Sequence, residues 1–449
     1  MQSALPFQMP SADVFFAAQK RVFAHYFYPF PLQIDAVDAT VDYYSRNYLV
    51  PGGEATGTPP VGKFQAQGGY LRARPLAVAQ PTGVANYQLE NMKTEVRMAI
   101  AAGITGFTFD ILNLADALSP TGHLMMLCTA AFAVDPRFQI VPMADMSAMP
   151  TLTTAQAVQL FTSVYSLPSS ARLADGRMPI SAFNAVQTPA YWAEIEAELI
   201  TKGIGVAFIP VLLGSPLSSP LDPVSIGVGD WGTATAASGL NPASYMAAIL
   251  TQQFRPKDSK LWEASNTQTF RNCWAMAIAG GHPFAQIITW SDFSETGQVQ
   301  PYTDATLNPN IGTTFYNLTA YYITWFVTGK QPAITQDTLY CCYRKMQSTA
   351  AHLNQANAFV FDPSAVEESN IELLAFLTAP GTLVINGQAQ DAPAGITSFK
   401  VPTTLGTPSF ALRRNVITFQ GPVPIYGPQG SPAQVLDLTY WGSSSNGLT

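Results

Sequence analysis

The stretches that decide the fold are GFTFDILNL at residues 106–114 and FQIVPMADM at residues 138–146. Both are nearly continuous apolar runs without a polar alternation, which is typical of strands that are buried on both faces of a parallel sheet. The helical pattern over 87–103 precedes the first run, and we expect this helix to stop at Gly103. A strand–helix unit that repeats in this way is typical of an α/β protein.

Further runs of the same kind extend in both directions along the chain, each separated from the next by a helical or loop segment. The eight candidate strands are RVFAHYFYPF (21–30), GFTFDILNL (106–114), FQIVPMADM (138–146), MPISAFNAV (178–186), GVAFIPVLL (205–213), a weak one at IGVGDW (226–231), KLWEAS (260–265) and AQIITWSDF (285–293). A second helical pattern over 190–203 is expected to end at Gly203. Eight strand–helix units close a (β/α)8 barrel, so the sequence predicts a barrel of the TIM type.

The last hundred residues have a different pattern. Short strand-like pieces follow one another at 8–12-residue spacing, separated by Gly, Pro, Asn or Asp, which is typical of an antiparallel β-sandwich. We therefore expect a catalytic barrel over residues 1–350 and an accessory β-sandwich over residues 351–449. Two long Gly/Pro-rich loops, 50–75 and 214–243, interrupt the barrel pattern. They are either lids or walls of a binding site, or structural excursions over the barrel.

The composition excludes several classes of protein. The chain has 449 residues, of which 47% are hydrophobic and only 11% are charged, so it can form a large core. With 22 Lys+Arg against 29 Asp+Glu, it has no basic field for nucleic acid phosphates. The most apolar stretch is shorter than the roughly 20 residues that a membrane span needs. An uncharged polar surface fits a neutral polymer, and we expect a polysaccharide or oligosaccharide as the partner.

Cofactor and metal motifs are missing from the sequence. It has no GxSxG elbow, no phosphate-binding GxxxxGK[ST] loop and no GxGxxG, so we expect no cofactor. The four histidines and four cysteines do not form a zinc-binding pattern, and we expect no metal. Cys341 and Cys342 are adjacent and rarely would bridge to each other. One or two disulfides and buried free thiols both stay open.

In an α/β barrel the active site lies at the carboxyl ends of the strands, so the polar residues that follow each run are the candidates. Asp292 and Glu295, after the last strand, are the strongest, because two carboxyl groups can share the acid and base or nucleophile work of glycosidic cleavage. A helix N-cap box would have the same spacing. The candidate substrate-binding residues are His25, Tyr26, Asp110, Asn113, Asp145, Asn184, Trp231, Glu263 and Trp290.

Several of these residues also have a structural interpretation. His25 is either a sugar contact or a hydrogen-bonded core histidine. Glu263 is either a third acid or the partner of an arginine such as Arg271. Trp231, Trp290 and Tyr26 offer flat faces on which a sugar ring can stack, but aromatic side chains are more often part of the core.

Several motifs resemble those of glycoside hydrolase family 71, the α-1,3-glucanases known as mutanases. RVFAHYFYPF resembles the first strand of that family, AGITGFTFDILNL its second strand, and AQIITWSDFSET its eighth-strand signature. TAYYITWFVTGKQPAITQDTLYCCYRKM and VINGQAQDAPAGITSFKVPTTLGTPSFALRRN resemble the segments that follow. The matches keep the family's order over nearly the whole chain.

The resemblance implies hydrolysis of α-1,3-glucan by inversion, with the acidic pair of the family at Asp292 and Glu295. It also implies that His25 and Asn113 line the subsite of the sugar that is cleaved. ETGQVQPYTD lacks a His and a Tyr that the family has after the pair, and WEASNTQTF places Glu263 where the family has no acid. An α-glycosidase for another polysaccharide and a catalytically silent glycan-binding barrel are therefore alternatives. We expect an extracellular protein from the enzyme class, although the first residues show no signal peptide pattern.

Overall fold

The computed structural model describes residues 5–35, 42–45, 51–78, 86–213, 219–231, 245–304, 311–347, 359–361, 368–430 and 435–447. Eight parallel strands in chain order close a barrel, as the sequence predicts. They are β1 (Arg21–Tyr26), β2 (Gly106–Ile111), β3 (Gln139–Asp145), β4 (Met178–Phe183), β5 (Val206–Leu212), β6 (Gly229–Asp230), β7 (Met246–Leu250) and β8 (Phe284–Ile288). Strand β1 pairs with both β2 and β8, which closes the ring.

Helices surround this barrel. They are α1 (Ala12–Ala17), α2 (Tyr87–Ala101), α3 (Leu114–Leu118), α4 (His123–Val134), α5 (Thr154–Tyr165), α6 (Pro189–Thr201), α7 (Gln268–Gly280) and α8 (Thr314–Thr328). Helices α2 and α6 end just before Gly103 and Gly203, which have φ angles of +87° and +72°. A left-handed residue closes the end of a helix at little cost when it is glycine, so both predicted helix ends are confirmed.

The seventh barrel strand is a correction to the sequence analysis. The strand at this position is β7, not the predicted run 260–265. Residues Lys260–Trp262 instead pair antiparallel with Gln253–Arg255, forming a two-stranded ribbon that Val360–Phe361 extends. The chain between β7 and the ribbon is only two residues long, so the ribbon stands directly above the carboxyl end of β7.

The C-terminal part forms two antiparallel four-stranded sheets, and the predicted β-sandwich is confirmed. Its strands are β9 (Thr338–Arg344), β10 (Asn370–Leu377), β11 (Gly381–Ile385), β12 (Gln388–Ala392), β13 (Gly395–Pro402), β14 (Ser409–Leu412), β15 (Ile417–Gln420) and β16 (Tyr440–Trp441). The sheet orders are β13-β10-β9-β16 and β12-β11-β14-β15. Strand β9 lies before residue 350, and the division of the chain at that residue stays a prediction.

The first of these sheets is buried on both faces. Leu339 and Cys341 of β9 pack in the core between the two sheets. Tyr340 and Cys342 point the other way and pack in the cluster that continues into the barrel. Side chains alternate between the faces of a strand, so the adjacent cysteines lie on opposite faces. All four cysteines are free and buried.

No helix within the described ranges is both long enough and apolar enough to span a bilayer.

Candidate active site

The segment that follows β8 brings the acidic pair to the carboxyl end of the barrel. The Trp290 N–H donates to the His25 carbonyl at 2.8 Å, which continues the pairing of β8 with β1 beyond the barrel ladder. The Asp292 N–H then donates to Thr289 Oγ1 at 2.9 Å, and the Asp292 carbonyl accepts from the Gly297 N–H at 3.2 Å. These bonds form a tight turn with Asp292 and Glu295 beside His25.

A pocket of about 210 Å³ opens at this end of the barrel. Most of its residues are titratable or aromatic. They are His25, Phe27, Tyr70, Asp110, Asp145, Phe183, Trp231, Arg255, Lys257, Asp258, Asp292, Ser294 and Glu295. In a chain with only 11% charged residues, such a concentration of charge is a strong sign of a chemical function.

Asp292 is buried and uses one carboxylate oxygen to hold the turn. Its Oδ1 accepts hydrogen bonds from the Ser294 N–H (2.9 Å), the Ser294 hydroxyl (2.6 Å) and the Glu295 N–H (3.1 Å). Its Oδ2 accepts no hydrogen bond from the described residues. Burial raises the pKa of Asp292, while the Ser294 hydroxyl and the Arg255 charge oppose this shift. In the described chain no helix begins at Asp292, so the pair is not a helix N-cap box.

Glu295 is held in a similar way by two donors from the ribbon. Its Oε2 accepts hydrogen bonds from Arg255 Nη2 at 2.7 Å and Gln253 Nε2 at 3.1 Å. Its Oε1 accepts none from the described part of the chain. Burial and the neighbouring Asp292 charge raise the pKa of Glu295 to about 8, although Arg255 lowers it. This shift favours the protonated form of the carboxyl group.

Three further polar side chains line the pocket. His25 and Asp110 are both buried, with 3.7 Å between Nε2 and Oδ2. His25 Nδ1 and Asp110 Oδ1 are buried and have no hydrogen-bond partner among the described residues. Asp145 Oδ1 accepts from the Ser147 and Ala148 N–H groups, and burial together with the Asp110 charge raises the pKa of Asp145.

Aromatic rings form the remaining wall. Trp231 contacts His25 and Phe183 edge to face, at 4.8 and 4.7 Å between ring centroids. Its indole Nε1 is buried and has no hydrogen-bond partner in the part of the chain that the structure describes. Tyr70 comes from the loop 50–75, so this predicted lid or wall reaches the pocket. The second predicted loop, 214–243, lies outside the described residues over 214–218 and 232–243.

Tyr26 and Trp290 are corrections to the predicted sugar contacts. Both are buried outside the pocket, and both bind the buried Glu95 of α2. The Tyr26 hydroxyl donates to Glu95 Oε2 at 2.8 Å, and Trp290 Nε1 donates to Oε1 at 3.3 Å. Burial raises the pKa of Glu95 to about 8. Residues that alternate with the inward-facing His25 point out of the barrel, which explains the position of Tyr26.

Glu263 also lies away from the pocket. It forms an ion pair with Arg344 of β9, with distances of 2.8 and 3.2 Å, and accepts a bond from the Tyr440 hydroxyl at 2.7 Å. Burial would raise the pKa of Glu263, but the Arg344 charge and these bonds lower it. Arg271 pairs with Glu372 instead. Glu263 therefore joins the barrel to the sandwich, and the interpretation as an arginine partner holds with a different arginine.

The two predicted asparagines lie beside the pocket and do not line it. Asn113 is exposed and caps α3, where its Oδ1 accepts from the Ala115 N–H at 2.8 Å. Asn184 Nδ2 donates to Ser147 Oγ at 3.0 Å and so ties the loops after β3 and β4 together.

Sequence reasoning missed Arg255, Lys257 and Asp258. These residues follow β7, whereas the seventh strand predicted at 260–265 is followed by other residues. The apolar run MAAIL at 246–250 is the signal that could have found them. A second cavity, of about 690 Å³, lies at the opposite end of the barrel around Arg172, Asp175 and Arg177. It is larger, but neither Asp292 nor Glu295 lines it. Among the described residues no group of three or more His, Cys, Asp or Glu side chains could hold a metal ion.

Residues 232–422 match the family model described as Glycosyl hydrolase family 71. The match includes Asp292, Glu295 and much of the sandwich. It confirms the resemblance to this family over that part of the chain and supports a glycosidase. A search of curated proteins found no match.

Two solved structures align with this chain at low sequence identity. The GH99 endo-alpha-mannosidase from Bacteroides thetaiotaomicron is 14% identical, with a TM-score of 0.48 over 68% of this chain and 97% of that chain. A putative beta-galactosidase from Bacteroides fragilis is 10% identical, with a TM-score of 0.38 over 78% of this chain and 53% of that chain.

Proposed function

We propose that this protein is a glycoside hydrolase that cleaves α-1,3-glucan with Asp292 and Glu295 as its acid and base. One observation carries the proposal. Asp292 and Glu295 both line the pocket. In each carboxyl group, one oxygen is held by protein donors. The other oxygen accepts no hydrogen bond from the described residues. Two carboxyl groups that line one pocket can share the acid and base work of glycosidic cleavage.

The surroundings of the two groups support different roles. The raised pKa of Glu295 favours its protonated form, which can donate a proton to the leaving glycosidic oxygen. Three donors to Asp292 Oδ1 stabilise the ionised form of that group. Asp292 would then take a proton from the water that attacks the anomeric carbon, which gives inversion. The match to family 71 supports inversion, because the resemblance to that family implies an inverting reaction.

The other groups that line the pocket support binding of a polyhydroxylated substrate. Buried polar atoms are usually hydrogen-bonded, yet His25 Nδ1, Asp110 Oδ1 and Trp231 Nε1 have no partner within the described ranges. Asp110 Oδ1 is an acceptor, Trp231 Nε1 is a donor, and His25 Nδ1 is a ring nitrogen that can do either. This combination within one pocket fits the hydroxyl groups of a sugar. Trp231 and Phe183 add apolar ring surface. Asp145 lies close enough to complete this set.

The match to family 71 supports α-1,3-glucan as the substrate. With that substrate, an extracellular location follows as part of the proposal, since the polymer is too large to enter cells. We propose no cofactor, and no nucleic acid or membrane as a partner.

A panel of polysaccharides tests the proposal. Purified protein is incubated with α-1,3-glucan, α-1,4-glucan, α-mannan and β-1,3-glucan, and new reducing ends are counted. We expect release from α-1,3-glucan, and at least a 10²-fold loss of turnover in both D292N and E295Q. D175N, in the larger cavity at the other end of the barrel, is the matched control and should keep its turnover.

Each other outcome has a definite meaning. Release from α-mannan alone would assign another polysaccharide. Binding without release from any polymer would indicate a glycan-binding barrel. Full activity in both D292N and E295Q would refute the assignment of the pair.

A further inference from the structure

The two donors that hold Glu295 come from one element, the ribbon of Gln253–Arg255 and Lys260–Trp262. Both bonds end on the same oxygen, Oε2. The carboxyl group of Glu295 is therefore held on one side, and its Oε1 is the oxygen left for a substrate. Neither donor can take a proton from Glu295, because guanidinium and amide N–H groups only donate.

The ribbon is itself fixed to the turn that carries the acidic pair. The N–H of Phe254 donates to the Glu295 carbonyl at 3.0 Å and to Thr296 Oγ1 at 3.1 Å. The Thr296 hydroxyl donates in turn to the Phe254 carbonyl at 3.3 Å. The backbone and side-chain hydrogen bonds thus join the same two segments. Both sets of bonds hold Arg255 close to Glu295.

Trp262, on the other strand of the ribbon, supports the guanidinium group. The Arg255 Cζ atom lies 4.8 Å from the centroid of the Trp262 ring, within the range of a cation–π contact. A guanidinium group that is stacked on a ring and bonded to a carboxylate has few orientations left. A lysine at the same place would keep the charge but lose the planar fork.

We propose that Arg255 is a positioning residue for the general acid: with Gln253 it holds Glu295 Oε2, so that Oε1 carries the proton delivered to the glycosidic oxygen. This inference rests on the proposed function for the role of the proton, but not for the contact itself. The proton leaves Oε1, the glycosidic bond breaks, and the carboxylate that remains is stabilised by Arg255.

The charged groups around Glu295 determine how its pKa responds. Asp292 and Asp258 raise it, and Arg255 is the cation that lowers it. Lys257 also lines the pocket, but it donates no hydrogen bond to Glu295. Removing the Arg255 charge should therefore raise the pKa of Glu295, whereas removing the Lys257 charge should change it much less.

The test uses the pH profile of kcat/KM on α-1,3-glucan, whose high-pH limb reports the pKa of the acid. In R255Q we expect this limb to move up by about 1 pH unit, with kcat reduced about tenfold. R255K should return the limb to its wild-type position while kcat stays low. K257Q removes an equal charge and is the control, with a much smaller shift of the limb.

A second measurement separates this inference from the proposed function. Protein labelled with ¹³C at the glutamate carboxyl carbon is titrated by NMR, and E295Q identifies the Glu295 signal. A higher Glu295 pKa in R255Q than in wild type supports the inference even if no polymer is cleaved. An unchanged pKa in R255Q, or an equal shift in K257Q, would overturn it.

Discussion

Glu95 on α2 provides a prediction about stability. Its buried side chain lies outside the barrel strands and accepts hydrogen bonds from Tyr26 and Trp290. Tyr26 follows His25 in the sequence, and Trp290 lies two residues before Asp292. Burial raises the pKa of Glu95 from 4.5 to about 8. The folded protein thus keeps a proton that the unfolded chain has already released over this pH range. The stabilisation is complete below pH 4.5 and declines as the pH rises to 8.

The size of the effect follows from the two pKa values. One pKa unit corresponds to about 1.4 kcal/mol, so a shift from 4.5 to about 8 lowers the free energy of unfolding by on the order of 5 kcal/mol across the range. Glu95→Gln removes the titration. The Tyr26 hydroxyl can accept a bond from the new amide as well as donate one, so the variant keeps polar partners.

Urea unfolding of wild type and E95Q between pH 4.5 and pH 8 measures the effect. We expect the stability of E95Q relative to wild type to increase with pH by several kcal/mol. The other carboxyl groups cancel in this difference. E198Q, on the exposed face of α6, is the control and should give a constant difference. A constant difference for E95Q would refute the reasoning.

Two further predictions concern residues that the structure places outside the pocket. E263Q leaves the buried Arg344 without its counter-charge and should lower the free energy of unfolding by about 3–5 kcal/mol, measured by urea unfolding. KM of the folded variant should stay at the wild-type value, and an increased KM with unchanged stability would contradict the structural role. N113A removes the N-cap of α3 and should lower stability by about 1 kcal/mol with less than a twofold change in kcat/KM. A large loss of activity in N113A would place this side chain in the substrate site.

The barrel and the position of Asp292 and Glu295 at its carboxyl end could be predicted because they depend on local patterns. Long apolar runs and helices that end at Gly103 or Gly203 are features of adjacent residues. Strand β7 escaped because MAAIL at 246–250 is short and follows a long Gly/Pro-rich loop, whereas KLWEAS contains a stronger strand former in Trp262. Because the seventh strand was predicted at the wrong place, Arg255 was not among the candidate site residues.

Burial and pairing could not be predicted in the same way. In the sequence, Tyr26 and Trp290 resemble sugar-stacking residues. In the structure, both donate hydrogen bonds to Glu95 of α2. In the sequence, Glu263 resembles a third acid. In the structure, it pairs with Arg344 of β9, which follows about 80 residues later. These contacts join segments that are far apart in the sequence, and a pattern in one segment does not contain its distant partner.

The most direct test of the central claim compares two leaving groups in one variant. Protonation by Glu295 is needed for a sugar leaving group, but not for an aryl group that leaves without a proton, such as 2,4-dinitrophenolate. E295Q should therefore lose at least 10²-fold in turnover on an α-1,3-glucan oligosaccharide, while it stays within tenfold of wild type on the matching dinitrophenyl α-glycoside. Equal losses on both substrates would show that Glu295 does not supply the proton.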